Sequence, residues 1–123
     1  MAREYSRTVR VAEQLRRELA ILIQQEVKDP RLGMVTVSDV EVSSDLAHAK
    51  VYVTVLGGED KIEETVAVLN RAANFLRREL GRRLVLRIIP RLKFHYDRSI
   101  RQGAELSALI EKAVHDDKQA KGS

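Results

Sequence analysis

The apolar residues of this chain change period twice, from about 3.6 to 2 and back, and the two changes divide it into helix, hairpin and helix. Up to Val27 they recur every three or four residues: Val11, Leu15, Leu19, Leu22, Ile23 and Val27 form one stripe. That spacing predicts a buried-on-one-side helix over 4–27, with Ser6 as a candidate cap. Lys28-Asp29-Pro30 ends it, because the residue before a proline is pushed out of the helical region. Strict alternation follows, first in Val35 and Val37, then in Val40 and Val42. The phase slips by one around Ser38-Asp39, which predicts a bulge inside a strand over 34–42. Ser43-Ser44-Asp45 reads as a turn. A second strand over 47–56 has Val51, Val53 and Val55 on one face and Lys50, Tyr52 and Thr54 on the other. The two strands make a hairpin.

Gly57-Gly58 breaks the alternation, and Glu59 and Asp60 stand where acids favour a helix start. Ile62, Val66, Leu69, Ala73, Leu76 and Leu80 then lie within one narrow stripe, with Gly81 as the expected stop. Leu84, Leu86 and Ile88 alternate with Val85, Arg87 and Ile89, predicting a third strand that Pro90 ends or marks as an edge. Asp97 or Ser99 is placed to cap a last helix carrying Ile100, Leu106, Leu109, Ile110 and Ala113. The order α-β-β-α-β-α gives an α+β fold, with helices on one face of a small three-stranded sheet. Residues 1–114 are expected to form a single domain, and the polar residues 115–123 a flexible tail.

Charge narrows the function. Residues 71–101 hold ten basic side chains (Arg71, Arg77, Arg78, Arg82, Arg83, Arg87, Arg91, Lys93, Arg98 and Arg101) against Glu79 and Asp97, a net charge of +8. The rest of the chain is mildly acidic. So concentrated a field suits a polyanion, and arginine's planar fork grips phosphate in pairs of hydrogen bonds. The bland alternative is a solvated basic face. The near absence of compensating acids favours the polyanion. With no cysteine, disulfides, thiol nucleophiles and thiolate metal sites are excluded. No apolar run approaches the ~20 residues that span a bilayer, and Met1 to Arg10 has no apolar secretory core.

Catalytic and metal chemistry find little support. His95 and Asp97 flank Tyr96, but no serine or cysteine nucleophile accompanies them. Asp97 is better read as a helix cap and His95 as a surface or base-stacking residue. His48, His95 and His115 are scattered, without metal-ligand spacing, and no phosphate-cradling glycine motif is present. The chain is therefore expected to need no cofactor or metal and to be no enzyme.

On a helical wheel for 62–82, Arg71, Arg78 and Arg82 fall opposite the apolar stripe, with Arg77 and Arg83 flanking it. Arg87, Arg91 and Lys93 share strand parity, so one strand face would carry all three. Two readings of Ala72-Ala73-Asn74 stay open: an unbroken helix, or a kink that re-aims the basic turn behind it, with asparagine tolerating unusual backbone geometry.

Five stretches carry a family resemblance: Arg7 to Leu19 (RTVRVAEQLRREL), Asp29-Pro30-Arg31-Leu32, Asp45 to Val53 (DLAHAKVYV), Leu86 to Phe94 (LRIIPRLKF), and Tyr96-Asp97. In this order and spacing the chain resembles the ribosome-binding factor A family along nearly its whole length. That resemblance implies a KH type II-like domain, α-β-β-α-kink-α-β-α, with a three-stranded mixed sheet. The GxxG loop of KH domains is replaced there by an Ala-x-Gly kink, matched here by Ala72, Ala73 and Asn74. It also implies a monomeric cytoplasmic factor that binds 16S rRNA in the small (30S) ribosomal subunit late in its maturation, near the 5′ end. Support of growth in the cold and release promoted by a ribosome-associated GTPase are implied as well. The residues expected to contact RNA are Arg71, Arg77, Arg78, Arg82, Arg83, Arg87, Arg91 and Lys93, with Arg3, Arg7 and Arg10 of the first helix. Two rival readings are a general single-stranded RNA-binding module and an adaptor for an acidic protein. The first calls for aromatic stacking platforms, but aromatic residues are only 4% of the chain.

Overall fold

The computed structural model describes residues 2–99, with side chains from Arg7 onward. The expected last helix, the tail and the side chain of Arg3 lie outside the described residues. Six elements follow one another: α1 (Ala2–Glu26), β1 (Met34–Val42), β2 (His48–Leu56), α2 (Glu59–Arg71), α3 (Ala73–Arg83) and β3 (Arg91–Tyr96). The sheet order is β1-β2-β3, with β2 antiparallel to β1 and parallel to β3. The fold is the mixed-sheet α+β arrangement with its helices on one face. α1 begins at Ala2, so Ser6 lies inside the helix and does not cap it.

The core lies between that face and the helices. Leu15, Leu19 and Leu22 of α1, Val51 and Val53 of β2, Leu69 of α2, Leu76 and Leu80 of α3, and Phe94 of β3 are all essentially inaccessible to solvent. Each such side chain contributes roughly 1.5–3 kcal/mol by leaving water. The bulge lies where the phase slip places it. Val37 pairs with Val53, and the next pair is Asp39 with Tyr52, so Ser38 is the extra residue. The bulge lets Val37 and Val40 both reach the core. The Ser38 hydroxyl donates to the Asp97 carboxylate at 2.6 Å and lies 3.2 Å from the Tyr52 carbonyl, tying the end of β3 to β1 across β2.

Close approach explains one glycine. A Cβ on Gly33 would stand 3.2 Å from each of Lys61 Cε, Thr65 Oγ1 and Val55 Cγ1. The Gly33 amide instead donates to the buried Thr65 hydroxyl at 3.0 Å, fixing the start of β1 against α2. Upstream, Asp29 accepts from the Arg31 amide, Nε and Nη2 at 2.7–3.0 Å. The Arg31 hydrogen bonds hold the Asp29 carboxyl at about 2.

The third strand differs from the sequence expectation. Residues 84–90 are a connecting segment, and β3 begins after Pro90. A parallel partner for β2 requires a crossover, and α2, α3 and this segment supply it. Val85 is fully exposed and Ile88 is exposed, whereas Pro90 is buried. Arg87 therefore sits in a loop and shares no strand face with Arg91 and Lys93. Nor does Gly81 stop the helix. α3 continues to Arg83, and Gly81 faces Ile89 Cγ1, which a Cβ would meet at 3.7 Å.

The long amphipathic segment is broken, and the break falls at Ala72 (φ −85°, ψ −1°). Ala72 still donates to the Val68 carbonyl at 3.0 Å, and its own carbonyl accepts from Leu76 at 2.9 Å. Asn74 lies in the first turn of α3 and not at the break. The only positive φ values among described residues are at Leu46 and Gly57, so tolerance of left-handed geometry is not what places an asparagine at position 74.

One residue missed in the sequence fixes this region. The Asn70 Nδ2 donates to the Phe94 carbonyl at 3.1 Å, and its Oδ1 accepts from the Phe94 amide at 2.8 Å. The Arg91 amide donates to Ala47 and that of Asp97 to Val53, so odd-numbered residues of β3 pair with β2 and even-numbered ones face the free edge. Asn70 thus takes the place of a neighbouring strand at Phe94.

Asn70→Ala is expected to cost about 1–3 kcal/mol, because it leaves a partly buried amide and carbonyl unpaired. A melting-temperature drop of several degrees would show it; an unchanged melt would mean the edge needs no cover. A second expectation concerns His95, whose ring lies 5.8 Å from that of Tyr52. Burial, then the charges of Lys93 and Lys50, push the His95 imidazole below its ordinary 6.5. The unfolded chain therefore takes up this proton first. The contribution is complete above 6.5 and lost as pH falls below it. Melting temperatures followed from about pH 7 to about pH 5 should fall in the native chain and fall less in His95→Gln. Parallel curves would remove His95 as the cause.

Candidate nucleic-acid interface

The basic residues predicted from sequence occupy three places. The first is the outer side of the helix layer. At about 100° per residue, Arg78 lies roughly opposite the buried Leu76–Leu80 edge of α3, and Arg71 lies opposite the buried side of α2. Arg71, Arg78 and Arg82 are exposed. Arg82 is 3.4 Å from Glu79, a mostly solvated pair worth little. Arg71 and Arg78 make no ion pair with another described residue.

Two flanking arginines have structural partners. Arg77 is half-buried, and its Nε donates to the Ile89 carbonyl at 3.0 Å, pinning the 84–90 segment to α3. Arg83 reaches Glu18 of α1 at 3.4 Å, joining the first and third helices. Each keeps part of its guanidinium accessible, but neither is a free cation in the way Arg78 is.

The second place is a cleft of about 380 Å³ where the start of α1, the β1–β2 turn and the 84–90 segment meet. Arg7, Thr8, Ser44, Asp45, Leu46, Arg87 and Ile88 line it. The turn is rigid. Asp45 accepts from the Ser43 hydroxyl at 2.6 Å and from the Ala47 amide at 3.0 Å, and both bonds lower its pKa. Leu46 holds φ at +62°, an uncommon setting for a branched side chain. Arg7 and Arg87, 80 residues apart in sequence, thus come to one opening. Arg10 is exposed one turn further along α1, whereas Arg16 and Arg17 are engaged with Glu13.

The third place is the sheet face turned away from the helices. Arg91 and Lys93 project there, alternating with Leu92 and Phe94. Register puts His48 beside Arg91 and Lys50 beside Lys93. Sequence reasoning missed His48 and Lys50, although the alternation already placed Lys50 on the polar face of β2.

The remaining chemistry is structural. Asp97 accepts from the Ser38 hydroxyl and from the Ser99 amide at 3.0 Å, the bond expected of a helix-capping carboxylate. The His95 ring lies tilted by 32° against that of Tyr52, and its Nε2 is buried without a hydrogen-bond partner among the described residues. The Tyr52 hydroxyl donates to Glu41 at 3.4 Å, and burial together with the Glu41 charge pushes its pKa up. No group of three or more metal-ligating side chains occurs among the described residues. No helix there is long and apolar enough to cross a membrane. A larger concavity, about 1000 Å³, lies at the other end of the sheet among Ile23, Val27, Leu32, Met34, Val55 and Leu56, away from Arg71, Arg78 and Arg82.

Comparison with known proteins gives the same answer at three levels. The family model for ribosome-binding factor A matches residues 7–110. Ribosome-binding factor A of Pseudomonas aeruginosa (strain UCBPP-PA14) is 58% identical over 124 aligned residues, covering 99% of this chain and 96% of its own. The crystal structure of ribosome-binding factor A from Thermus thermophilus superposes with a TM-score of 0.64 at 37% identity, over 72% of this chain and 94% of that one. A Thermus thermophilus homology model fitted into a cryo-electron microscopy map of a 30S complex superposes with a TM-score of 0.60 at 39% identity, over 71% of this chain and 91% of that one. Sequence, family model and fold agree: the chain belongs to the ribosome-binding factor A family.

Proposed function

We propose that this chain binds the small ribosomal subunit by gripping 16S rRNA phosphates and acts late in the maturation of that RNA, near its 5′ end. Membership of its family makes it a ribosome-binding factor and not an enzyme. The observation that carries the RNA reading is the set of exposed guanidiniums at Arg71, Arg78 and Arg82, held on a helix pair whose other side is buried in the core. A relative fitted into a 30S complex supports the choice of subunit. The Arg7–Arg87 cleft and Arg10 add cations at the end of the layers. Arg3 belongs to the same proposal by its position on the first helix.

The mechanism is selection by binding. Fixed guanidiniums favour the RNA conformation whose phosphates match them, and their differential affinity shifts the RNA toward that state without bond chemistry. Phosphate recognition, rather than base reading, follows from cations on rigid elements and few aromatic side chains. Function as a cytoplasmic monomer, support of growth in the cold and release with the help of a ribosome-associated GTPase complete the proposal.

Co-sedimentation with purified 30S, 50S and 70S particles across a salt series tests it. Selective pelleting with 30S, weakening steeply with salt, is the expected result. Equal pelleting with all three particles would indicate a general RNA binder, and survival of binding after ribonuclease an acidic protein partner. In the same assay, replacing Arg78 and Arg82 by Ala should weaken 30S binding and make the logarithmic salt slope shallower by about 1–2. Stability should change by no more than about 0.5 kcal/mol, since neither side chain packs in the core. A large fall in melting temperature would assign these arginines to the fold instead.

A further inference from the structure

Arg87 apart, the exposed cations that cluster in sequence are divided by the fold between two opposite faces. α2 and α3 pack their buried residues onto the sheet face that carries Ala49, Val51, Val53 and Phe94. Arg71, Arg78 and Arg82 project from the far side of that helix layer, while Arg91 and Lys93 project from the other face of the sheet. On that face Arg91 stands beside His48, and Lys93 beside Lys50, and all four are exposed. Neighbouring strands lie about 4.8 Å apart and alternate residues about 6.6 Å apart, so the four form one compact patch. No acid lies on this face of β2 or β3. Asp39 and Glu41 lie on β1, in register with Tyr52 and Lys50, which polarises the face along its width.

Distance makes the two cation sets independent. A helix with its side chains is about 10–12 Å across, and the sheet adds its own thickness. The separation therefore exceeds the roughly 8 Å over which charges sense one another at physiological ionic strength. A single RNA helix lying on α2 and α3 cannot also neutralise the sheet patch. Lys50, Arg91 and Lys93 are like charges at close range, with Glu41 of β1 in register beside Lys50, and their surplus of positive charge suits a polyanion.

Building on the RNA-binding reading, we propose that the open sheet face, His48, Lys50, Arg91 and Lys93, is a second phosphate-binding surface. One chain then holds two RNA segments at once, one on α2–α3 and one on the sheet. The Arg7–Arg87 cleft lies apart from both, where the start of α1, the β1–β2 turn and the 84–90 segment meet.

The test uses the full chain with two short RNA hairpins, one carrying a fluorescence donor and the other an acceptor. Energy transfer and complex mass by native mass spectrometry are read together. The native chain is expected to give transfer and complexes of one chain with two hairpins. The triple variant Lys50→Ala/Arg91→Ala/Lys93→Ala should lose transfer and keep one hairpin, as should Arg71→Ala/Arg78→Ala/Arg82→Ala. Lys50→Gln/Lys93→Gln, which keeps more of the side-chain bulk, should give the same loss should the first triple variant fold poorly. A one-to-one complex at saturating RNA, transfer carried by two chains, or undiminished transfer in folded sheet variants would overturn the second surface while leaving RNA binding intact. Sheet variants that release the 30S subunit yet still hold two hairpins would assign the face to a protein partner and overturn the proposal. A native chain that binds neither hairpin would sink the RNA reading itself.

Discussion

The side-chain amide of Asn70 stands between the helices and the free edge of the sheet, and much of the molecule's geometry depends on it. Its two hydrogen bonds to the Phe94 backbone cover an edge that no strand among the described residues covers. Phe94 is also among the largest wholly buried side chains. One residue on α2 therefore sets both the height of β3 against the helices and the depth at which its main anchor sits. The break at Ala72 follows two residues later. An unbroken helix would leave Asn70 in place but carry Leu76 and Leu80 along the axis of α2, whereas the break lets α3 bury both on the same core as α1 and β3. The kink is thus better explained by two packing demands than by strain at a special residue.

The same arrangement determines where charge goes. Once β3 is registered against β2 with Phe94 inward, the pleat sends Arg91 and Lys93 outward beside His48 and Lys50. Once Leu76 and Leu80 are inward, the helix sends Arg78 the opposite way. The positive character of the chain is then not one patch but several, and the helix and sheet patches are separated by the core that orients them. Arg77 and Arg83 show the cost of holding this geometry: part of their hydrogen-bonding capacity goes to Ile89 and Glu18. A sequence count of ten cations overstates the charge free to meet a ligand.

How much of this was legible in the sequence varied with the range of the forces involved. The bulge at Ser38 was visible because a strand with one buried face cannot change phase without an extra residue. The first helix, the hairpin and the amphipathic stripe were visible for the same local reason. The third strand was misplaced because residues 84–89 are apolar at nearly every position, which suggested a buried strand. The better signal lay one step on. Residues 91–96 alternate charged or polar with apolar side chains, the mark of a strand with one wet face. Gly81 looked like a stop by composition, yet the helix runs on to Arg83 and Gly81 faces Ile89 of the segment that folds back after it. Asn70 could not be found from spacing, since its partners are backbone atoms 24 residues away. The arginines were legible as a polyanion signal but not as a surface, because assigning each to a face required the register of β3.

That register also bears on what kind of recognition this scaffold favours. Cations carried on a buried-backed helix pair and on a three-stranded sheet are fixed relative to one another by a close-packed core, which deforms little. On the two-surface proposal, phosphate tracks held at fixed separation and angle discriminate among RNA arrangements by geometry alone, with no base contact needed. A flexible basic tail of equal charge would bind as strongly at low salt but would accept any arrangement of its target. The rigidity supplied by Asn70, Ser38 and Arg77 therefore bears on selectivity as much as on stability. Weakening any of the three should broaden the set of RNA shapes the chain accepts before it lowers the total affinity.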